Sequence, residues 1–250
     1  VAHNNFDNEG RKLLMEKEER FKGANALNEK VIVALDVASS DEALALAKAL
    51  QGSGCWLKVG LELYALSGLK LLDDFKRMGF PIFLDLKLHD IPTTVERTLK
   101  VLTTTGVDMV DLHCGGGYEM MARASEVCHQ AGMKVIGVTV LTSMGDEGLR
   151  EVGVQGAVPE QVLKLAQLGK KAGLDGVVAS AQEAALLRAD LGSEFLLVTP
   201  GIRPAGSNKN DQVRVLTPAE ALKAGSSHLV VGRPITRAKD PRQALEELWA

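Results

Sequence analysis

The sequence predicts an α/β fold, a single (β/α)8 TIM barrel over residues 31–250 with a short N-terminal extension over residues 1–30, and three observations predict it. From Val31 onward, short apolar or β-branched runs alternate with longer stretches of helical spacing, the pattern of βα units and a parallel sheet. Eight such runs can be counted, and no Pro, Gly or Ser-rich linker divides them. The first run ends in Asp36-Val37-Ala38, not in the GxGxxG turn that opens a doubly wound dinucleotide-binding sheet. A length of 250 residues suits one barrel.

Residues 1–30 are polar and charged, with little apolar periodicity, and read as a leader: part a short helix over Arg11 to Phe21 covering one end of the domain, part disordered or vector-derived. The expected strands are Val31 to Asp36, Cys55 to Val59, Pro81 to Leu88, Met109 to His113, Val135 to Leu141, Gly176 to Ala179, Phe195 to Thr199 and His228 to Val231. Between them lie helical stretches such as Asp41 to Leu50, with Ser40 or Asp41 as cap, and Pro159 to Ala172, with Pro159 at a first helical position.

With 29 Lys+Arg against 32 Asp+Glu the chain lacks the basic field that neutralises nucleic-acid phosphates. It also lacks the run of about 18 apolar residues needed to span a bilayer. Cys55, Cys114 and Cys128 are odd in number and without CxxC spacing, which suits reduced thiols in a cytoplasmic protein. His3, His129 and His228 are scattered and suggest no metal site, and no Ser/His/Asp nucleophile arrangement is legible.

Charges inside the strands carry the functional signal. Both faces of a parallel barrel strand are buried, so a charge there is costly unless it is paired or sits at the mouth. Asp36 ends the first strand, Lys58 lies within Trp56-Leu57-Lys58-Val59, and the third reads Ile82-Phe83-Leu84-Asp85-Leu86-Lys87-Leu88-His89-Asp90. Strand alternation turns Asp85 and Lys87 to one side and Leu84, Leu86 and Leu88 to the other. One Asp-x-Lys pair is equally what a structural salt bridge looks like. Five charges near the carboxyl ends of three strands, where barrel active sites are built, point instead to a shared site.

Two loops belong to the same mouth. Thr199-Pro200-Gly201-Ile202-Arg203-Pro204 is followed by a polar stretch from Ala205 to Gln212, a lid candidate that could bring Arg203 or Gln212 onto a ligand. Gly232-Arg233-Pro234 follows the eighth strand, and loops after strands seven and eight are the usual phosphate site of barrels. Weaker features are His113-Cys114-Gly115-Gly116-Gly117, more often a tight turn than an anion nest, and Asp111 and His113, which share one strand face and suit the polar network of the mouth. His89 reads as a local hydrogen-bonding residue, and Thr142 as a group able to hydrogen-bond a ligand.

From about Val31 to Leu248 the chain resembles the orotidine 5'-monophosphate decarboxylase family. The stretch Asp85-Leu86-Lys87-Leu88-His89-Asp90-Ile91-Pro92-Thr93-Thr94 resembles its signature, and the Ile-Pro-x-Thr part separates it from related Asp-x-Lys-x-x-Asp barrels. Lys58 in Leu-Lys-Val-Gly, Val138 to Met144, Thr199 to Pro204 and Val231 to Pro234 follow in the expected order.

The resemblance implies decarboxylation of orotidine 5'-monophosphate to UMP, the last step of de novo pyrimidine nucleotide synthesis, without metal or cofactor. It implies a cytoplasmic homodimer in which Asp90, Ile91 and Thr94 reach the neighbouring subunit's site. Lys58, Asp85 and Lys87 with the partner's Asp90 would form an alternating charged network. Asp36, with Lys58, would hold the ribose, and Thr142 would read the pyrimidine edge. Gln212, Gly232, Arg233 and Arg203 would bind the 5'-phosphate. Rival readings are a magnesium-dependent phosphosugar decarboxylase or aldolase of the same barrel group and a non-catalytic UMP-binding barrel; neither nucleic acid nor membrane is an expected partner.

Overall fold

The computed structural model of the protein describes residues 26–204 and 216–249. Eight parallel strands close into a barrel in chain order, each paired with the next and β8 with β1. They are β1 (Val31–Ala34), β2 (Trp56–Gly60), β3 (Ile82–Leu88), β4 (Met109–His113), β5 (Lys134–Val138), β6 (Gly176–Val178), β7 (Leu196–Thr199) and β8 (His228–Val231). Each expected strand is present. The first ends at Ala34 rather than Asp36 and the fifth at Val138 rather than Leu141, because pairing stops where the strands part to form the mouth.

Alternation along the strands divides the core in two. Val31, Val33, Leu57, Val59, Leu84 and Val110 point outward against the helices and are fully buried there. Ile32, Phe83, Met109, Ile136 and Val198 point inward and plug the barrel, with Trp56, Val178 and Val230 around them. Each such side chain contributes about 1.5–3 kcal/mol by leaving water, which offsets the charges set above the plug. Strand packing leaves no room for a side chain at Gly176, where a Cβ would stand 2.3 Å from the Leu196 carbonyl oxygen.

Local chemistry explains the helix boundaries. The helix Ser40–Leu50 is capped by Ser39, whose hydroxyl accepts the Glu42 N–H at 3.2 Å; the expected caps Ser40 and Asp41 lie inside it, because Ser39 is the last residue with extended backbone. The second expected helix runs Val158–Lys171 with Pro159 in its first turn. Leu61–Arg77 is broken at Gly68, whose φ of 57° only glycine adopts freely. The Gly115 to Gly117 run is a turn: a 3-10 segment, Cys114–Gly116, then Gly117 at φ 86° leading into the helix Tyr118–Gln130.

Residues 1–25, including the expected helix over Arg11 to Phe21, lie outside the described residues. Asn28, assigned to the leader from sequence, is buried; it donates to the Ser53 carbonyl at 3.1 Å and accepts the Trp249 indole N–H at 3.0 Å, joining the start of the barrel to its last turn. Among the described residues no helix is long and apolar enough to cross a membrane, and Cys55, Cys114 and Cys128 are buried and free. Burial pushes these thiols up to about 11, 12 and 12 respectively, far from the reactive thiolate.

At the amino-terminal end of the barrel the His228 ring meets Trp56 edge to face, with centroids 5.7 Å apart, and its Nδ1 is buried with no hydrogen-bond partner among the described residues. Burial first, then Lys134 and Lys30, holds the imidazole down to about 4. Between that value and the ordinary 6.5 the unfolded chain binds a proton that the native chain refuses, so stability is lost as the pH falls through this window. Replacing His228 by Phe keeps the ring and removes the titration; the loss of unfolding free energy between about pH 7 and about pH 5 should shrink by roughly 2 kcal/mol in urea titrations. Equal losses in parent and variant would place the charge-refusing group elsewhere.

Candidate active site at the barrel mouth

Above the apolar plug opens a cavity of about 590 Å³, within the usual size of a small-molecule site. Its floor is Ala34, Phe83, Val138, Val178, Val198 and Val230, and its wall carries Asp36, Lys58, Asp85, Lys87 and Asp111 on the β1 to β4 side. Arg203, Gly232, Arg233 and Arg237 line it from the β7 and β8 loops. Carboxylates and ammonium groups thus stand on one side, guanidinium forks on the other.

The charged side is a chain of alternating sign. The Lys58 ammonium lies 3.1 Å from an Asp36 oxygen and 3.1 Å from an Asp85 oxygen, and the other Asp85 oxygen accepts the Lys87 ammonium. Exposure varies along it: Asp36 is 67% exposed, Lys58 and Asp85 are nearly buried at 9% and 12%, and Lys87 returns to 32%. Desolvation opposes charge on both buried members. Burial pushes Lys58 down, but Asp85 and Asp36 outweigh it and raise its affinity for the proton; burial pushes Asp85 up, but Lys58 and Lys87 outweigh it and hold the carboxyl below its ordinary range. Gly60 leaves room for this pairing, since a Cβ there would lie 3.1 Å from the Lys58 nitrogen.

Lys87 reaches the mouth on the side that alternation predicts, but through an interruption of the pairing between β3 and β4. Leu84 pairs with Val110 and Leu88 with Leu112, so four steps on β3 match two on β4, a bulge that holds Asp85, Leu86 and Lys87. Within it Lys87 has φ 50°, the left-handed region that is costly for any side-chain-bearing residue. Its backbone N–H, withdrawn from the ladder, donates to Asp111 Oδ1 at 2.8 Å.

Asp111 is 1% exposed and lies within hydrogen-bonding reach of Asp85. Burial first, then the Asp85 carboxylate, pushes its carboxyl well above the ordinary range. His113 on the same strand stacks on His89 at 5.3 Å. The expected local hydrogen bond of His89 is not found among the described residues: the ring is exposed and pairs with His113 next to Gly115 and Gly116.

On the other side, the Arg203 side chain is buried at 7% exposure and donates to the Ile202 carbonyl at 2.9 Å, while its N–H donates to the Leu216 carbonyl at 3.1 Å. Gly232 and Arg233 open the short helix Arg233–Thr236. Thr142 lines the cavity at its open side. Asp90, Ile91 and Thr94 do not line it: they sit exposed on the rim, where Asp90 accepts the Ile91 N–H at 2.7 Å. Gln212 and the lid stretch fall in 205–215, outside the described residues. Arg237 escaped the sequence reading, although its spacing of four from Arg233 puts both on one side of a helical turn. Among the described residues no cluster of His, Cys, Asp and Glu is placed to hold a metal ion.

Residues 29–248 match the family described as Orotidine 5'-phosphate decarboxylase / HUMPS. The orotidine 5'-phosphate decarboxylase of Hydrogenovibrio crunogenus is 52% identical over 223 residues, 88% of this chain and 94% of that one. The enzyme of that name from Aliivibrio fischeri is 49% identical over 224 residues, 88% of this chain and 96% of the relative. A crystal structure of orotidine 5'-phosphate decarboxylase from Lactobacillus acidophilus superposes with a TM-score of 0.79 at 39% identity, covering 88% of this chain and 96% of the other. The chain belongs to the orotidine 5'-phosphate decarboxylase / HUMPS family.

Proposed function

We propose that the barrel decarboxylates orotidine 5'-monophosphate to UMP and carbon dioxide, a step of pyrimidine biosynthesis, without metal or organic cofactor, and that Lys87 stabilises and then protonates the carbanion left at C6. The observation that carries this reading is the Lys87 ammonium, fixed by Asp85 on the wall of the cavity above its apolar floor. When the bond from C6 to the carboxylate breaks, its electron pair stays in the ring plane, where the π system delocalises it poorly. An ammonium beside C6 supplies the missing stabilisation and afterwards the proton, and water then reprotonates the amine. Lys58 and Asp36 keep Asp85 in register with Lys87 and present a donor and an acceptor to ribose hydroxyls. Thr142 reads the pyrimidine edge.

Arg203, Gly232, Arg233 and Gln212 take the 5'-phosphate in this reading, with Arg237 close to Arg233. A phosphate held there is remote from C6, so its binding energy can hold the ring against Lys87 rather than act on the bond that breaks. Enzymes lower barriers by roughly 8 to 23 kcal/mol, and preorganised charge of this kind is usually the largest single contribution.

The same reading makes the protein a homodimer that places Asp90, Ile91 and Thr94 in the partner's site. All three are exposed, and the helices Leu61–Arg77 and Pro92–Leu102 also expose the apolar side chains Leu61, Leu66, Leu69 and Val101, which association would cover in this reading. It also assigns the chain to the cytoplasm, where its three buried thiols stay reduced.

Two experiments test these assignments. Absorbance of orotidine 5'-monophosphate should fall on adding the protein in EDTA, and Lys87→Ala should turn over at least about 10³-fold more slowly while remaining folded. Turnover that requires magnesium would favour the phosphosugar chemistry of the same family, and UMP binding without turnover a sensor. Mixing inactive Asp90→Ala and Lys87→Ala subunits should restore activity at about one site in each hybrid dimer. No recovery after demonstrated subunit exchange would confine Asp90 to its own chain.

A further inference from the structure

We propose that Asp111 is a positioning residue for this reaction: a neutral carboxylic acid that clamps the β3 bulge from β4, accepting the Lys87 backbone N–H on Oδ1 and donating its own proton from Oδ2 to the Asp85 carboxylate. The inference rests on the decarboxylase reading above and adds to it a residue that is almost wholly buried beneath the cavity wall.

Asp111 Oδ1 is occupied by the Lys87 N–H at 2.8 Å. Oδ2 is fully buried, and among the described residues no donor reaches it. The Asp85 carboxyl stands within hydrogen-bonding reach of the same side chain. Two ionised carboxylates side by side, Asp85 at 12% and Asp111 at 1% exposure, the latter with an unmatched oxygen, carry a large desolvation and repulsion cost, and a single shared proton relieves both. Asp85 receives the Lys58 and Lys87 ammonium groups and is therefore the ionised member. The charged groups acting on Asp111 are Asp85 and Lys87; on its other side β5 presents Ile136 in register. The proton therefore rests on Asp111, in keeping with the upward displacement of its carboxyl.

The position matters because Lys87 is strained. Its φ of 50° persists while something holds the withdrawn N–H, and Asp111 is the acceptor that replaces the lost ladder partner. One carboxyl group thus fixes the backbone that carries the ammonium and, through Oδ2, the carboxylate that aims it.

Asparagine reproduces this pattern, with Oδ1 accepting and Nδ2 donating, but cannot ionise. Asp111→Asn should retain kcat within about tenfold of the parent, with the same dependence on pH. Asp111→Ala should lower kcat by about 10²-fold or more, the scale of a misplacement near 1 Å, with a much smaller change in the dissociation constant of UMP. The infrared spectrum at neutral pH should show the carbonyl stretch of a protonated carboxylic acid that Asp111→Asn lacks. If Asn is as damaging as Ala, or the band is absent, Asp111 works as an anion and the proposal is overturned. Near-parental kcat in a folded Asp111→Ala overturns the positioning role. Should Ala not fold, the Asn variant and the band decide. If the parent protein does not turn over the nucleotide at all, the decarboxylase reading falls, and the band still decides whether Asp111 holds the proton.

Discussion

Two ammonium groups and two carboxylates can stand at the mouth of a closed apolar barrel only if each neutralises the next, and this constraint organises the site. Lys58 and Asp85 are nearly buried, so neither tolerates loss of its partners: an unpaired charge at that depth costs several kcal/mol, more than most single contacts return. Alternation of sign along Asp36, Lys58, Asp85 and Lys87 satisfies every member and leaves Lys87, the terminal one, directed at the cavity. The inward plug of Ile32, Phe83, Met109, Ile136 and Val198 fixes the depth at which this occurs. Closure of the sheet fixes which strands are neighbours, and so which charges meet.

The fold was legible because both of its periodicities are strong. Strands buried on both faces read as continuous apolar runs, and the helices between them start at ordinary signals such as Pro159. The charges were legible for the opposite reason: Lys58 and Asp85 interrupt runs that apolar residues would otherwise fill. Harder to read was everything that depends on register. Alternation correctly put Asp85 and Lys87 on one side, yet it could not show the two-residue excess of β3 over β4 or the left-handed Lys87, since no glycine marks the spot. Asp111 showed as a polar residue in a strand, but its contact with the Lys87 N–H exists because of the bulge. The capping role of Ser39 was missed because Ser39, Ser40 and Asp41 are all good caps, and which serves is settled by where extended backbone ends.

The arrangement also divides the work of the molecule. Strands β1 to β4 hold rigid, mutually paired groups suited to acting on a bond that breaks; the loops after β7 and β8 carry Arg203, Arg233 and Arg237, suited to gripping an anion some distance away. Strain is concentrated on the first side, at Lys87, where Asp111 on β4 accepts the withdrawn N–H and holds the bulge in place. Stability and function therefore draw on different residues, and the buried core beneath the mouth offsets what the mouth costs.

In the proposed reaction Lys87 exchanges a proton with C6 of the nucleotide. By microscopic reversibility the same group must remove that proton from the product. With UMP in D₂O, proton NMR should show loss of the H6 signal catalysed by the parent protein, and Lys87→Ala should slow this exchange at least about 10³-fold while still binding UMP. Undiminished H6 exchange in Lys87→Ala would contradict the account, because another group would then be making and neutralising the carbanion.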